Sequence, residues 1–183
     1  MRLTGGEFGG RQLKMAEDNE IRPTTDKVRL AIFNMLAARV DIRDMVTLDL
    51  FCGSGTLGLE ALSRGAGFCT FVDFSQKSLS VVKKNIETLS VQDKTKTLKG
   101  DAIRANKLPI DQTVDLVFMD PPFGKRIEEE TLENLSDAYW LGYQAMIVLE
   151  TDRRDVDIPH RYDYLVHKDY GRSNIHILSY EGQ

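Results

Sequence analysis

Cysteine and histidine are scarce in this chain of 183 residues, which holds two of the first and three of the second. Cys52 and Cys69 stand too far apart for C-x-x-C chemistry and read as buried thiols in a reducing compartment. His160, His167 and His176 lack metal-ligand spacing, so no metal is expected. No apolar run reaches the roughly 18 residues of a membrane span. The opening MRLTGGEFGG has no apolar core of the kind a signal peptide carries. The expectation is a cytoplasmic protein with no membrane partner. Positive charge is not in excess either: 24 Lys and Arg face 28 Asp and Glu, for a net charge of −4. That argues against indiscriminate nucleic-acid binding but leaves room for a basic patch on one face, because the field at a phosphate depends on nearby charges.

What is present suits one globular domain: 42% hydrophobic and 28% charged residues, with enough chain to bury a core. Apolar strands alternate with helical periods. Strands are expected over 46–50, 68–72, 95–98, 114–119 and 145–150. A helix over 75–89 carries Leu79, Val82 and Ile86 at helical spacing behind a Ser75 cap. This alternation predicts an α/β, Rossmann-like, mostly parallel sheet covered on both faces. Segments 162–167 and 174–180 are joined too tightly for a crossover helix, so they should form an antiparallel hairpin at one edge. Ahead of the core, residues 1–14 read as a glycine-rich β-hairpin. RPTTDKVRLAIFNML follows as a helix, with Pro23 at its start and Thr24 or Thr25 as cap. The organisation is a single domain, with 1–44 as an N-terminal extension and 45–183 as the core.

One stretch poses the functional question. In VTLDLFCGSGTLGLEAL, the glycines Gly53, Gly55 and Gly58 spell G-x-G-x-x-G, with Asp73 about twenty residues on, as in a dinucleotide site. Read through its acid, Asp49-x-Phe51-x-Gly53-x-Gly55 ends a strand as S-adenosylmethionine (SAM) pockets do. A carboxylate at Asp49 would repel a pyrophosphate. SAM has no phosphate and carries two cationic centres, so Asp49 is useful there. Gly53 and Gly55 let the backbone pass close to a ligand. Gly58 reads as a close-packing residue. Asp73 could accept ribose hydroxyls in either case. Asp101 with Ala102 suits an adenine edge, and Phe74 follows Asp73 as a further cofactor candidate. Ligands of open parallel sheets bind beyond the carboxyl ends of the strands, and Asp49, Asp73, Asp101 and Asp120 all fall there.

Asp120-Pro121-Pro122-Phe123 decides between hydride and methyl transfer. A nucleobase amine is a poor nucleophile because its lone pair is delocalised into the ring. The Asp120 carboxylate and Pro121 carbonyl can hold its two hydrogens and favour the pyramidal form. Pro121 and Pro122 freeze the backbone that holds those acceptors. Phe123 offers a face on which an extruded base can stack, worth roughly 1–3 kcal/mol. Aligned reactants gain about 7–11 kcal/mol from positioning alone, so no metal is needed.

VTLDLFCGSGTLGLEALSRGA, GDA and VFMDPPF, preceded by RPTTDKVRLAIFNML, resemble the RsmD-type 16S ribosomal RNA guanine-N2 methyltransferases over nearly the whole chain. The resemblance implies the seven-stranded methyltransferase sheet with its last strand antiparallel, SAM as cofactor, and methylation of one guanine amine in small-subunit ribosomal RNA. It implies that Asp49, Phe51, Gly53, Gly55, Asp73, Asp101 and Ala102 line the SAM pocket and that residues 120–123 hold the guanine. Arg2, Arg11, Lys14, Arg22, Arg29, Lys125 and Arg126 are the candidate RNA contacts. Gly9 and Gln12 stand where the family's N-terminal arm is basic, which lowers the charge this arm brings to RNA. The expected partner is 16S ribosomal RNA in a partly assembled small subunit, bound by a monomer. Adenine-N6 methylation of DNA or RNA, and an RNA-binding module with a vestigial SAM fold, are the alternatives.

Overall fold

The computed structural model describes residues 1–15, 25–152 and 155–182. The strands read from the sequence assemble into one seven-stranded sheet in the order β3-β2-β1-β4-β5-β7-β6. They are β1 (Val46–Leu50), β2 (Phe68–Asp73), β3 (Thr95–Lys99), β4 (Val114–Met119), β5 (Leu141–Thr151), β6 (Tyr162–Tyr170) and β7 (Ser173–Tyr180). The first five pair in parallel, and β7 runs antiparallel to both β5 and β6. The mostly parallel sheet with an antiparallel last strand is therefore as expected. The chain order reverses at β1, whose neighbours are β2 and β4, and such a switch point opens a crevice at the strand ends.

Alternation along the strands sorts the core into two layers. On β4, Leu116 and Phe118 face one layer, while Val117 and Met119 face the other. The first layer is covered by α1 (Asp26–Ala37), α2 (Thr56–Ser63) and α3 (Gln76–Leu89). Phe33 of α1 meets Phe118 with ring centroids 5.5 Å apart. The second layer is covered by α4 (Glu128–Ser136), through Leu132 and Leu135, and by the short 3-10 segment Ala102–Lys107. No helix among the described residues is long and apolar enough to cross a membrane.

The N-terminal segment is a looser hairpin than its glycines suggest. A single antiparallel bridge joins Arg2 to Gln12, and the chain between is a run of turns. Leu3 and Leu13 are buried and anchor the segment to the first layer. Helix α1 begins behind Thr25, whose hydroxyl accepts from the Val28 N–H at 3.3 Å, so the cap is the second of the two threonines. Pro23 and Arg22 lie outside the described residues.

Candidate active site

β1 delivers Asp49 into the first layer, and the chain then turns sharply through Phe51, Gly53 and Gly55, with φ of 57°, 52° and 77°. Left-handed backbone at Phe51 costs roughly 1–2 kcal/mol, and such strain persists where neighbouring structure holds it. A side chain at Gly53 would meet nothing closer than the Phe51 carbonyl at 4.0 Å, so this backbone borders open space. Gly58 has the other role assigned to it. A Cβ there would sit 2.5 Å from both Cys69 Sγ and Phe71 Cε1, so the glycine lets α2 pack against β2.

The Asp49 carboxylate accepts the Gly58 N–H at 2.9 Å. An N–H in the first turn of α2 is therefore already taken by a carboxyl group of the chain itself, where a pyrophosphate site would offer it to the ligand. Asp49 is only 2% exposed. Burial pushes its pKa up to about 8, against the pull of the Gly58 hydrogen bond, and the Asp73 charge adds to the rise. A buried carboxylate with that imbalance fits a cationic ligand.

Asp73 ends β2 and ties the turn together, accepting from Gly53 N at 3.0 Å and from Ser75 N at 2.8 Å. Phe74, next in sequence, is 75% exposed, an open aromatic face beside the site. Gly100 N donates to the Asp73 carbonyl at 3.2 Å, which brings the end of β3 alongside. Asp101 is exposed there and caps the following 3-10 segment, accepting from Ile103 N at 3.1 Å, while Ala102 is buried. On the other side of β1, Leu50 pairs with Met119, so Asp120 starts its loop next to Phe51. Asp120 is half-buried, Pro121 is buried, and Pro122 and Phe123 are exposed, with Phe123 at 39%. Sheet order thus lines up the ends of four neighbouring strands as Asp101, Asp73, Asp49, Asp120.

The basic residues divide. Arg2, Arg11, Lys14, Lys125 and Arg126 are exposed, whereas Arg22 lies outside the described residues. Arg29 is not a surface cation: it is 0% exposed, with its guanidinium donating to Glu60 at 3.2 Å, to Asp26 at 2.9 Å and to the Arg2 carbonyl. Its expected contact with RNA is corrected to an internal one. The helical pattern gave no warning, because a buried arginine is recognised only by the carboxylate that meets it.

Sequence reading also missed a cavity. About 530 Å³ in volume, it lies between the cap Thr25, Lys27 and Val28 of α1, Phe123, Glu150 near the end of β5, and the turn from Asp169 to Ser173. The signal for Glu150 was present, since it is a fifth acid at a strand end.

A family model described as "Conserved hypothetical protein 95", the RsmD family, matches residues 1–179. The chain is a member of the RsmD family. Ribosomal RNA small subunit methyltransferase D of Escherichia coli K12 is 38% identical to it over 83% of this chain and 75% of that one. Its namesake from Haemophilus influenzae is 33% identical over 98% and 91%. The solved Escherichia coli yhhF structure superposes with a TM-score of 0.86 at 32% identity, covering 100% of this chain and 99% of the other. RsmD proteins are SAM-dependent ribosomal RNA methyltransferases, and the dehydrogenase reading of the glycines is set aside. Membership also bears out the resemblance read from the glycine turn and VFMDPPF.

Proposed function

We propose that this protein transfers a methyl group from SAM to the exocyclic N2 amine of a guanine in 16S ribosomal RNA, acting in the cytoplasm on a partly assembled small subunit. One observation carries this reading: Asp120-Pro121-Pro122-Phe123 leaves β4 directly beside the glycine turn of β1, at the reversal of strand order. SAM supplies an electrophilic methyl on a cationic sulfur. Asp49 offers charge to its cationic end, Asp73 acceptors to its ribose, and Asp101, Ala102 and Phe74 polar and aromatic surface to its adenine. Asp120 and the Pro121 carbonyl accept the two hydrogens of the guanine amine and direct its lone pair toward the methyl. As the N–C bond forms and the S–C bond breaks, the amine sheds one proton, which Asp120 can take up and pass to solvent. The buried Arg29–Glu60 pair joins the N-terminal extension to the core, which supports reading 1–44 and 45–183 as one methyltransferase domain. The direct test is tritiated-methyl transfer to small subunits from a methyltransferase-deficient strain, followed by nucleoside analysis. N2-methylguanosine is expected; N6-methyladenosine would overturn the base assignment.

Asp49 makes cofactor binding depend on pH. Its pKa is about 8 in the fold against 3.8 for an ordinary aspartate. The folded value is the higher one, so the contribution to stability is present below about pH 4 and is lost as pH rises toward 8. A cationic ligand prefers the carboxylate, so binding below pH 8 releases a proton. SAM affinity should therefore rise with pH, by at most about tenfold per unit, and level off above about 8. Calorimetry in buffers of different ionisation heat measures the proton directly. Asp49→Asn should remove the dependence, and a flat wild-type profile would count against this role.

RNA binding should draw on the exposed cations beside the acceptor loop. Arg126→Glu is expected to weaken RNA binding and to lower the salt slope by about 0.7–0.9 for each phosphate that is no longer neutralised. Filter binding across a salt series reads this out, and an unchanged slope would remove Arg126 from the interface.

A further inference from the structure

The cavity beside Phe123 contains an acid that the four-acid pattern leaves unused. Glu150 is 3% exposed overall and lines that cavity near the end of β5. β5 is the neighbour of β4, and Met119 pairs with Leu149 in register. Asp120 and Glu150 are therefore each one residue beyond the same pair, on strands that run about 4.8 Å apart. Phe118 and Val148 share the first core layer while Met119 and Leu149 share the second. Alternation sends Glu150 to the side of Phe118 and Val148, the side on which α1 packs and where the cavity opens. The rim carries the opposite charge: Lys27 and Arg172 are exposed there, with Asp169 beside them.

This layout is an acidic floor with an aromatic wall and a partly cationic rim. It suits a nucleotide whose base enters edge-first, stacks on Phe123 and leaves its phosphate outside. A volume of about 530 Å³ is ample for a nucleobase with its sugar. We propose that Glu150 reads the N1–H of the target guanine and so sets the preference for guanine over adenine. The inference rests on the methyltransferase reading above and names the residue that gives it base specificity. Guanine presents three N–H bonds along one edge, two from N2 and one from N1. The Asp120 carboxylate, the Pro121 carbonyl and the Glu150 carboxylate would supply three acceptors to meet them, from the adjoining ends of β4 and β5. Adenine has its amine next to an unprotonated N1, and that lone pair would face the Glu150 carboxylate. A buried site built to accept a hydrogen bond discriminates strongly against a ligand that cannot donate it.

2-Aminopurine tests this without moving the amine, because it keeps the N2 amine but has an unprotonated N1. Guanosine 5′-monophosphate and 2-aminopurine riboside 5′-monophosphate are compared as inhibitors of methyl transfer to the deficient small subunits. With wild-type protein the guanine nucleotide should inhibit about 10- to 100-fold more tightly, the range expected of a hydrogen bond to a charged group. In Glu150→Gln the amide can donate to an unprotonated N1, so the preference should shrink to near unity or reverse, measured at enzyme concentrations that restore turnover. SAM affinity by calorimetry should stay within about threefold, because Glu150 faces the base and not the cofactor. Equal inhibition by the two nucleotides with wild-type protein, or inhibition by neither, overturns the proposal without any variant. A preference retained in Glu150→Gln overturns it as well. In either case, recovery of N2-methylguanosine from the subunits leaves the proposed function standing. If wild-type protein yields no N2-methylguanosine, both fall.

Discussion

Asp120→Ala should lower turnover by about 100- to 1,000-fold, the range seen when one aligned hydrogen-bonding group is removed from a reacting centre. The amine would keep the Pro121 carbonyl but lose the acceptor that carries charge, so its lone pair would return to the ring. SAM affinity should change by no more than about threefold, because interactions made only at the reacting centre appear in turnover and not in cofactor binding. Asp120→Asn keeps one acceptor oxygen and should recover part of the loss. Single-turnover methyl transfer and SAM calorimetry on the same preparations separate the two effects. A variant that binds SAM poorly would move Asp120 from the base to the cofactor.

The second large effect is on stability. Glu60 is 0% exposed and accepts from Arg29 Nε at 3.2 Å, Arg64 Nε at 2.8 Å, Thr4 N at 2.7 Å and Thr4 Oγ1 at 2.7 Å. Glu60→Ala removes the charge that α2 presents to these donors and takes from a fully buried guanidinium the carboxylate it meets inside the core. Breaking such a pair from one side costs about 3–5 kcal/mol, a large share of the roughly 5–15 kcal/mol that holds a domain folded. The N-terminal segment should also become sensitive to protease, since Thr4 and Arg2 reach the core through this cluster. Urea unfolding measures the first effect and limited digestion the second. The double change Arg29→Met with Glu60→Leu should be milder than Glu60→Ala, because replacing both partners avoids leaving one charge buried without the other. Equal losses for the two would mean that charge burial is not the cause.

These residues show where sequence reading is strong and where it stops. The strands at 46–50 and 114–119 emerged with their bounds intact, because short apolar runs closed by an acid or a turn leave little choice of ends. β5 is longer than its apolar stretch at 145–150, starting at Leu141, since its first residues extend past the hydrophobic run with a register shift near Val114. α4 was not foreseen. Its sequence EEETLENLS is short and acidic, and only the packing of Leu132 and Leu135 on the second layer gives it a buried side. The acids at four strand ends were legible because parallel topology fixes where strand ends gather. Phe74 and Phe123 were legible as residues flanking those ends, and both are exposed there.

The amino-acid sequence by itself determined the alternating α/β order, the sharp glycine turn after β1 and the acid that closes each of the first strands. Those features depend on neighbours along the chain: side-chain period, the φ freedom of glycine and the rigidity of two adjacent prolines. Only the tertiary structure decided that Arg29 is an internal strut, that Gly58 makes room for Cys69 and Phe71, and that Glu150 shares a cavity with Phe123. Each of these depends on a partner far away in the chain, and a charge or a missing Cβ takes its meaning from the atom it meets.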